Sequence, residues 1–183
     1  MFQWPYRAIL AFLIWARVRP WHLTFLALAL TVVTGGLIIA GEWFAAGWVL
    51  LAAGLCDVFD GSVARHYGEQ KRSGAFMDSV FDRVSDAVLF ACLFWALADD
   101  GRRLDAALAL FTLVISLSVS HIRAEAEAVG VQLTEGFFQR LERFIALLIG
   151  LVIPGAMTPI LVILAVLGAV TALQRGWSAL VRA

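Results

Sequence analysis

Apolar stretches long enough to cross a bilayer alternate with short polar segments along the chain, a pattern typical of an α-helical membrane protein. Residues 20–41 carry no formal charge and reach the roughly 20 residues that a transmembrane helix needs. Before them, residues 2–18 place aromatic and arginine side chains around a shorter apolar run, which predicts an interfacial amphipathic helix ending before Pro20. Five further spans are predicted at about 43–64, 74–98, 104–126, 138–155 and 158–176.

The predicted fold is all-α and integral to the membrane, with six transmembrane helices preceded by an N-terminal interfacial amphipathic helix. We assign residues 1–183 to one membrane domain, with the interfacial helix at 1–19 and the six-helix bundle at 20–177. The composition agrees, because 62% hydrophobic residues and a mean hydropathy of +0.87 exceed what a soluble domain of this length can bury. A net charge of zero indicates no nucleic acid partner. Cys56 and Cys92 lie in apolar segments and indicate neither a disulfide framework nor a zinc site.

Positive charges are distributed unevenly between the two ends of the predicted bundle. Six spans place both termini on one side, and all lysines and arginines except Arg102 and Arg103 fall on that side. Cytoplasmic segments of membrane proteins carry the excess of lysine and arginine. We therefore expect a multi-pass protein of the cytoplasmic membrane, with both termini and the active site facing the cytoplasm.

Two predicted spans reach sufficient length only if they take aspartates into the membrane. Asp57 and Asp60 lie three residues apart in the second span, and Asp78 and Asp82 lie four apart in the third. Each pair therefore occupies one helix face. The short turn 66–73 predicts that these helices are antiparallel neighbours whose carboxylates face each other near the cytoplasmic surface. Charged side chains at membrane depth are costly and usually mark function.

Four carboxylates that converge in a low-dielectric site repel one another, so a positive group must lie among them. Arg65 and Arg83 are available, but oxygen-only clusters also suit hard divalent cations such as Mg²⁺, Mn²⁺ or Ca²⁺. Such a cation is able to clamp a pyrophosphate, while one carboxylate accepts a proton from an attacking hydroxyl. Structural pairing of the aspartates with arginines is the alternative interpretation.

The motif Asp57-x-x-Asp60-Gly61-x-x-Ala64-Arg65, followed after eight residues by Gly74-x-x-x-Asp78-x-x-x-Asp82, resembles the signature of the CDP-alcohol phosphatidyltransferases. The segment Arg19-Pro20-Trp21-His22-Leu23-Thr24 is similar to the start of the family's first span, with Trp21 where asparagine is usual. The resemblance implies an enzyme of phospholipid biosynthesis that acts as a homodimer among membrane lipids. It would transfer a phosphatidyl or archaetidyl group from CDP-diacylglycerol or CDP-archaeol to a small polar alcohol and release CMP.

The same resemblance implies a role for each residue of the motif. Mg²⁺ or Mn²⁺, as one ion or two, would be held by Asp57, Asp60, Asp78 and Asp82. Asp82 would also be the catalytic base that takes the proton of the acceptor hydroxyl. The CDP-lipid would bind at Asp57, Asp60, Gly61, Ala64, Arg65, Gly74 and Asp78. The small residues would let the nucleotide approach the helices, and Arg65 would stabilise phosphate charge.

Three arginines indicate the kind of alcohol that accepts the group. Arg123 lies toward the cytoplasmic end of the fourth span, and Arg140 and Arg143 lie on one face at the start of the fifth. Arginine binds phosphate through paired N–H donors, so these residues favour a phosphorylated acceptor unless they are only positive-inside anchors. The residues 120–130 and 136–143 resemble the phosphatidylinositol-phosphate synthase branch, which implies inositol phosphate. Glycerol 3-phosphate and serine are the alternative acceptors.

A different class of function is a small cation- or proton-coupled transporter, with Asp78, Asp82 and Asp86 as a relay. A transporter needs acidic residues near the midplane with access from both sides, whereas these aspartates lie toward one side of the bundle. A non-enzymatic membrane scaffold gives no reason for four buried carboxylates. Protein-dependent CMP release from a CDP-lipid distinguishes the enzyme from both.

Overall fold

The computed structural model describes residues 3–68, 72–131 and 140–182, which form helices joined by short turns. In chain order the helices are α1 (Gln3–Trp15), α2 (Pro20–Ile39), α3 (Trp43–Tyr67), α4 (Arg72–Asp99), α5 (Arg103–Ala128), α6 (Arg140–Val152) and α7 (Met157–Arg182). This order matches the predicted N-terminal helix and the six predicted spans. The predicted turn at 66–73 and the polar segment before α6 lie partly outside the described residues.

Four of these helices, α2, α3, α5 and α7, are long and apolar enough to cross a membrane. Within the described residues α4 is long but interrupted by charged side chains, and α6 has only 13 residues. The helix α6 ends before position 155, the predicted end of the fifth span, because Pro154 and Gly155 turn the chain. The prediction of an all-α membrane protein is confirmed, while the number of spans stays a prediction.

Local sequence signals explain where the helices next to the motif begin and end. Pro20 is the first residue of α2, a position where a helix needs no N–H donor. Gly68 ends α3 with a left-handed φ of 64°, and its N–H group bonds to the carbonyl oxygens of Ala64 and Arg65. The last turn of α3 therefore carries Ala64 and Arg65, the last residues of the first half of the motif.

The helices α2 to α7 form a closed ring in the described part of the chain. Around this ring, α2 packs against α4, α4 against α5, α5 against α7, α7 against α6, α6 against α3, and α3 against α2. The helix α1 lies outside the ring against α3. Thr24 near the start of α2 contacts Asp60 near the end of α3, so these two helix ends lie at the same end of the ring.

The apolar core fills the half of the ring that is farther from α1. It contains the ends of α2 and α4 and the starts of α3, α5 and α7, represented by Ile38, Leu50, Phe90, Leu97 and Leu161, none more than 1% exposed. The other half of the ring holds the motif aspartates. Close packing at one end and polar side chains at the other give the bundle two chemically different halves.

The prediction that the two aspartate-bearing helices are direct neighbours is wrong for the described residues. Both α3 and α4 pack against α2, but they do not pack against each other. A cavity lies between them, and their carboxylates meet across it. The short connection in the sequence suggested that the helices pack together. Their facing sides are polar, however, and leave room for a ligand, whereas apolar faces would have packed against each other.

A polar network around a buried aspartate joins two helices at the end of the ring that is opposite the motif. Arg102 donates to Asp105 Oδ2 from Nε at 2.8 Å and to Thr158 Oγ1 from Nη2 at 3.0 Å. Thr158 donates in turn to Asp105 Oδ2 at 3.0 Å, and Asp105 is buried. These bonds connect the start of α5 to the start of α7.

Candidate active site

A cavity of about 520 Å³ opens between α2, α3, α4 and α6. Its polar part is lined by Asp57, Asp82 and Arg140, and its deeper walls include the apolar side chains of Leu28 and Leu147. A volume of this size is typical of a small-molecule site. The combination of charged and apolar walls fits an amphiphile with a polar head and a hydrocarbon tail.

Three of the four predicted metal ligands come together beside the cavity, and one of them, Asp57, lines it. One carboxylate oxygen each from Asp57, Asp60 and Asp78 lies within 4.8 Å of the other two. Asp60 is buried, Asp57 is half-buried and Asp78 is exposed. The fourth predicted ligand, Asp82, is not in this group and instead contacts a guanidinium. An oxygen-only donor set of this kind fits a hard divalent cation such as Mg²⁺ or Mn²⁺.

Arg140 forms a bridge between aspartates of α3 and α4. Its Nη1 and Nη2 donate to the two oxygens of Asp57 at 2.9 and 3.0 Å, and its Nη2 lies 2.7 Å from Asp82 Oδ1. The sequence placed this arginine in the acceptor pocket, and the structure places it among the carboxylates. It supplies part of the positive charge that the cluster needs, and it lies on α6, at the wall of the cavity.

Thr24 is a site residue whose role the sequence did not assign. Its Oγ1 donates to Asp60 Oδ2 at 2.8 Å and also approaches the carbonyl oxygen of Pro20 at 3.2 Å. The hydrogen bond fixes the carboxylate of Asp60 in one orientation, with its other oxygen left for a ligand. The Pro20-to-Thr24 segment was recognisable in the sequence, but its contact with Asp60 depends on the packing of α2 against α3.

A second polar network joins α4, α5 and α6 beside the first. Ser116 Oγ and Arg143 Nη2 both donate to Asp86 Oδ2 at 2.7 Å. Arg143 Nε is buried and has no hydrogen-bond partner within the described part of the chain. A donor in this state is able to bind an oxygen of a ligand without breaking an existing bond. Asp86 therefore orients Arg143 through one edge of the guanidinium.

The other predicted acceptor arginine lies apart from this network. Arg123 Nε donates to Glu127 at 2.8 Å on the exposed side of α5. Arg175 of α7, which the sequence analysis did not single out, is buried. A guanidinium in a predicted apolar span was the signal that could have identified Arg175.

The remaining donor-site residues lie on the exposed parts of α3 and α4. Arg65 Nη2 donates to Ser62 Oγ at 2.8 Å, and Arg65 Nη1 lies 3.7 Å from the position that a Cβ at Gly61 would take. Ala64 is half-buried. Gly74 is exposed and has open space around its Cα, so nothing in the described residues blocks an approaching ligand there.

The apolar helices and the aspartate cavity together define a membrane protein with an acidic site inside a helix bundle. The family model of the CDP-alcohol phosphatidyltransferases matches residues 17–174, so the chain belongs to this family. The resemblance carried by the eight motif positions is confirmed by this match, which covers most of the chain.

Relatives and solved structures give the same assignment. The chain is 36% identical to the phosphatidylinositol phosphate synthase of Mycobacterium tuberculosis over 144 residues, which are 74% of this chain and 66% of that protein. It is 33% identical to the archaetidylinositol phosphate synthase of Methanothermobacter thermautotrophicus over 141 residues, 74% of this chain and 70% of that protein. The alignment thus spans just under two thirds of the mycobacterial relative.

The fold matches crystal structures of the mycobacterial enzyme. The structure with CDP-DAG bound superposes with a TM-score of 0.86 at 32% sequence identity and covers 94% of this chain and 92% of that chain. The structure in complex with manganese and citrate gives a TM-score of 0.84, also at 32% identity, over 94% of this chain and 87% of that chain.

Proposed function

We propose that this protein transfers a phosphatidyl or archaetidyl group from a CDP-linked lipid to inositol phosphate and releases CMP. The observation that carries the proposal is the meeting of Asp57, Asp60 and Asp78 beside a cavity that Asp57 lines and whose other walls are largely apolar. The polar end suits a diphosphate held with a divalent cation, and the apolar walls suit the attached lipid. The names of the mycobacterial and archaeal relatives support both lipid donors and the acceptor.

The aspartate cluster is proposed to hold Mg²⁺ or Mn²⁺, with Asp57, Asp60 and Asp78 as ligands and Asp82 as a further one. The manganese in the mycobacterial crystal structure supports this choice of metal. When bound, the metal would neutralise charge on the diphosphate. Thr24 holds Asp60 in a fixed orientation for this task. Arg65, Gly61, Ala64 and Gly74 are proposed to bind the phosphate and nucleotide part of the donor.

Asp82 is proposed to take the proton from the acceptor hydroxyl at its Oδ atoms. It is half-buried beside the cavity, and its contact with Arg140 Nη2 fixes the direction of the carboxylate. The oxygen of the deprotonated hydroxyl then forms a bond to the lipid-side phosphorus, and the bond from that phosphorus to CMP breaks. Positioning and electrostatic stabilisation contribute most of the rate in such transfers.

The acceptor is proposed to bind between α4, α5 and α6, with its phosphate at Arg143 and near Arg123 and Arg140. The buried Nε of Arg143, which has no partner within the described residues, favours a phosphorylated acceptor over serine. Glycerol 3-phosphate carries the same group and is the alternative. Arg140 contacts Asp82 directly, so we propose that it contacts both Asp82 and the bound acceptor.

The predicted six spans, the interfacial role of α1, the single domain, the cytoplasmic termini and the homodimer are part of this proposal. The uneven distribution of arginines supports the orientation, because only Arg102 and Arg103 lie at the end opposite the motif. The exposed apolar side chains of Phe12 and Trp15 support a membrane-surface position for α1.

The experiment that tests the function is CMP release by the purified protein with CDP-diacylglycerol and Mg²⁺ or Mn²⁺. Inositol 1-phosphate, glycerol 3-phosphate, serine and free inositol are compared as acceptors. We expect release with inositol 1-phosphate, loss of release in EDTA, and recovery when Mn²⁺ is added. Release with serine or inositol alone would contradict the phosphate pocket. Absence of both CMP release and CDP-lipid binding would favour a transporter.

A further inference from the structure

The N-terminal helix α1 contacts α3, which carries the first half of the motif, through a tyrosine. Tyr6 Oη lies 2.6 Å from Ser62 Oγ, and the Tyr6 ring stacks on Phe59 with ring centroids 5.3 Å apart. Leu10 and Leu13 of α1 pack against the same part of α3, in a cluster that includes the buried Phe59. The stacked ring and the apolar contacts hold the tyrosine hydroxyl in place.

Ser62 lies in the middle of a hydrogen-bond chain that joins Tyr6 to Arg65. A serine hydroxyl has one proton to donate and two lone pairs to accept with. Ser62 Oγ donates to the carbonyl oxygen of Val58 at 3.2 Å and accepts from Arg65 Nη2 at 2.8 Å. In the contact between Ser62 and Tyr6, either hydroxyl is able to donate. Ser62 is buried, so loss of one of these bonds leaves an unmet polar group inside the protein.

The hydrogen-bond chain from Tyr6 ends at Arg65, on the face of α3 that carries the aspartates. Arg65 Nη1 lies 3.7 Å from the position of a Cβ at Gly61, so the guanidinium folds back along the helix over this glycine. Gly61 directly follows Asp60, one of the three clustered carboxylates. The bond to Ser62 thus holds a positive group beside the aspartate cluster, although Arg65 itself is exposed to solvent.

We infer that Tyr6 is a positioning residue for the CDP-lipid, acting through Ser62 to hold Arg65 toward the diphosphate. The inference rests on the proposed function, because it assigns the phosphate of a CDP-lipid to Arg65. The hydroxyl of Tyr6 adds no contact with substrate. It fixes the rotamer of Ser62, and Ser62 limits where the long and flexible arginine side chain can go.

The test uses Tyr6→Phe, which removes the hydroxyl and keeps the ring that stacks on Phe59. We expect the KM for CDP-diacylglycerol to rise about threefold to tenfold, as the loss of one hydrogen bond implies, while kcat and the acceptor KM change less than twofold. Ser62→Ala should give the same change, and Tyr6→Phe should add nothing to it, because both variants interrupt one chain.

Tyr67→Phe is the matched control. Its hydroxyl donates to the carbonyl oxygen of Ile14 at 3.5 Å and so also connects α3 to the region of α1, without touching Ser62 or Arg65. We expect its KM for CDP-diacylglycerol to equal that of the wild type. An equal rise in Tyr67→Phe and Tyr6→Phe would overturn the inference, because the effect would then come from the docking of α1. An unchanged KM in Tyr6→Phe would overturn it as well.

A second measurement separates this inference from the proposed function. The rate at which phenylglyoxal modifies Arg65 is followed by peptide mass spectrometry in the absence of any substrate. We expect faster modification in Tyr6→Phe and Ser62→Ala, by about twofold or more, and no change in Tyr67→Phe. Failure of the CDP-lipid reaction with this pattern intact would refute only the function. Equal modification rates in all variants would refute the control of Arg65 by Tyr6.

Discussion

Arg140 carries positive charge into a group of carboxylates from a distant part of the chain. It contacts Asp57 on α3 and Asp82 on α4 at the same time, and its side chain is 42% exposed. Solvent weakens each of these ion pairs. The bidentate geometry with Asp57 still gives the arginine a fixed direction, because two parallel N–H donors match the two carboxylate oxygens.

The role of Asp82 as a base leads to a prediction about turnover. Asp82→Asn keeps the size and polarity of the side chain and removes its ability to accept a proton. We expect kcat for CMP release to fall at least about a hundredfold, with CDP-lipid affinity changed little. Single-turnover CMP release and equilibrium CDP-lipid binding are the measurements. Asp100→Asn, at the exposed turn before α5, is the control. Retention of full activity would exclude Asp82 as the base.

The bridge made by Arg140 leads to a prediction about metal and stability. Arg140→Gln leaves the carboxylates of Asp57 and Asp82 to repel each other, so we expect a lower Tm without metal. A divalent cation replaces the lost charge, and Mn²⁺ should therefore raise the Tm of the variant more than that of the wild type. Thermal unfolding in detergent with and without Mn²⁺ measures this. Arg123→Gln, whose arginine pairs with the exposed Glu127 away from the aspartate cluster, should respond to Mn²⁺ like the wild type.

Equal Mn²⁺ shifts for Arg140→Gln and the wild type would show that the metal and Arg140 do not share carboxylates. A larger metal shift in the wild type would also contradict the prediction, because Arg140 would then support metal binding instead of competing with the cation.

Residue spacing was sufficient to find the aspartates but not their partners. Asp57, Asp60, Asp78 and Asp82 are recognisable because helix periodicity relates each pair along a single helix. Arg140 lies 83 residues from Asp57, and Thr24 lies 36 residues from Asp60. Contacts of this range depend on which helices pack together, and no periodicity in one segment specifies that.

Glycines determine how closely α3 and α6 approach. A Cβ at Gly54 would collide with the Phe144 ring, with Cε1 only 2.8 Å away, and a Cβ at Gly47 would lie 2.5 Å from Val152 Cγ2. Small residues at such positions let two helices in a membrane pack at short distance. The close approach matters to the site because α6 carries Arg140 and α3 carries Asp57.

Gly54→Ala is expected to push α6 away from α3. The methyl group overlaps a ring atom, so we expect a destabilisation of roughly 1–3 kcal/mol together with reduced CMP release, because Arg140 moves with α6. Thermal unfolding and initial rates measure the two effects. Gly36→Ala is the control, since this glycine is exposed in α2 and a Cβ there would meet nothing within 4 Å. Its Tm should be unchanged or higher. Equal behaviour of the two variants would contradict close packing at Gly54.

The apolar stretches of the sequence predicted where the helices lie better than they predicted which helices pack against each other. The order and approximate bounds of the helices in the described residues follow from the apolar stretches, because burial in lipid leaves little choice but a helix. The expected contact between the two aspartate helices was wrong in the described residues, because connection length shows which helices follow each other and not what lies between them. The cavity occupies the space between these two helices.

The two halves of the ring differ in polarity, so the two ends of the whole molecule are chemically different. The apolar core occupies the half near the turn at Gly101, and the charged cavity occupies the half near α1. Exposed apolar side chains such as Phe44, Trp95 and Val166 cover the outside. These side chains need a lipid environment, so the direction of the ring becomes an orientation across the membrane.

The orientation predicts different thiol labelling at the end of α5 and at the turn that precedes α5. In a background with Cys56→Ala and Cys92→Ala, Ala128→Cys places a thiol at the motif end and Asp100→Cys places one at the opposite end, both at exposed positions. We expect a membrane-impermeant maleimide to label Asp100→Cys in intact cells and Ala128→Cys only after lysis. The reverse pattern would invert the proposed topology and place the aspartate cavity outside the cytoplasm.

The network of Arg102, Asp105 and Thr158 and the apolar core lie at the end of the ring opposite the aspartate cavity. A lipid made in the proposed reaction would therefore leave the cavity toward a single leaflet. Continued synthesis adds area to that leaflet and none to the other, which creates a difference in lateral pressure across the bilayer. A growing cell that uses this product in both leaflets needs a separate lipid-translocating activity, and the pace of that activity would limit how fast the membrane expands evenly.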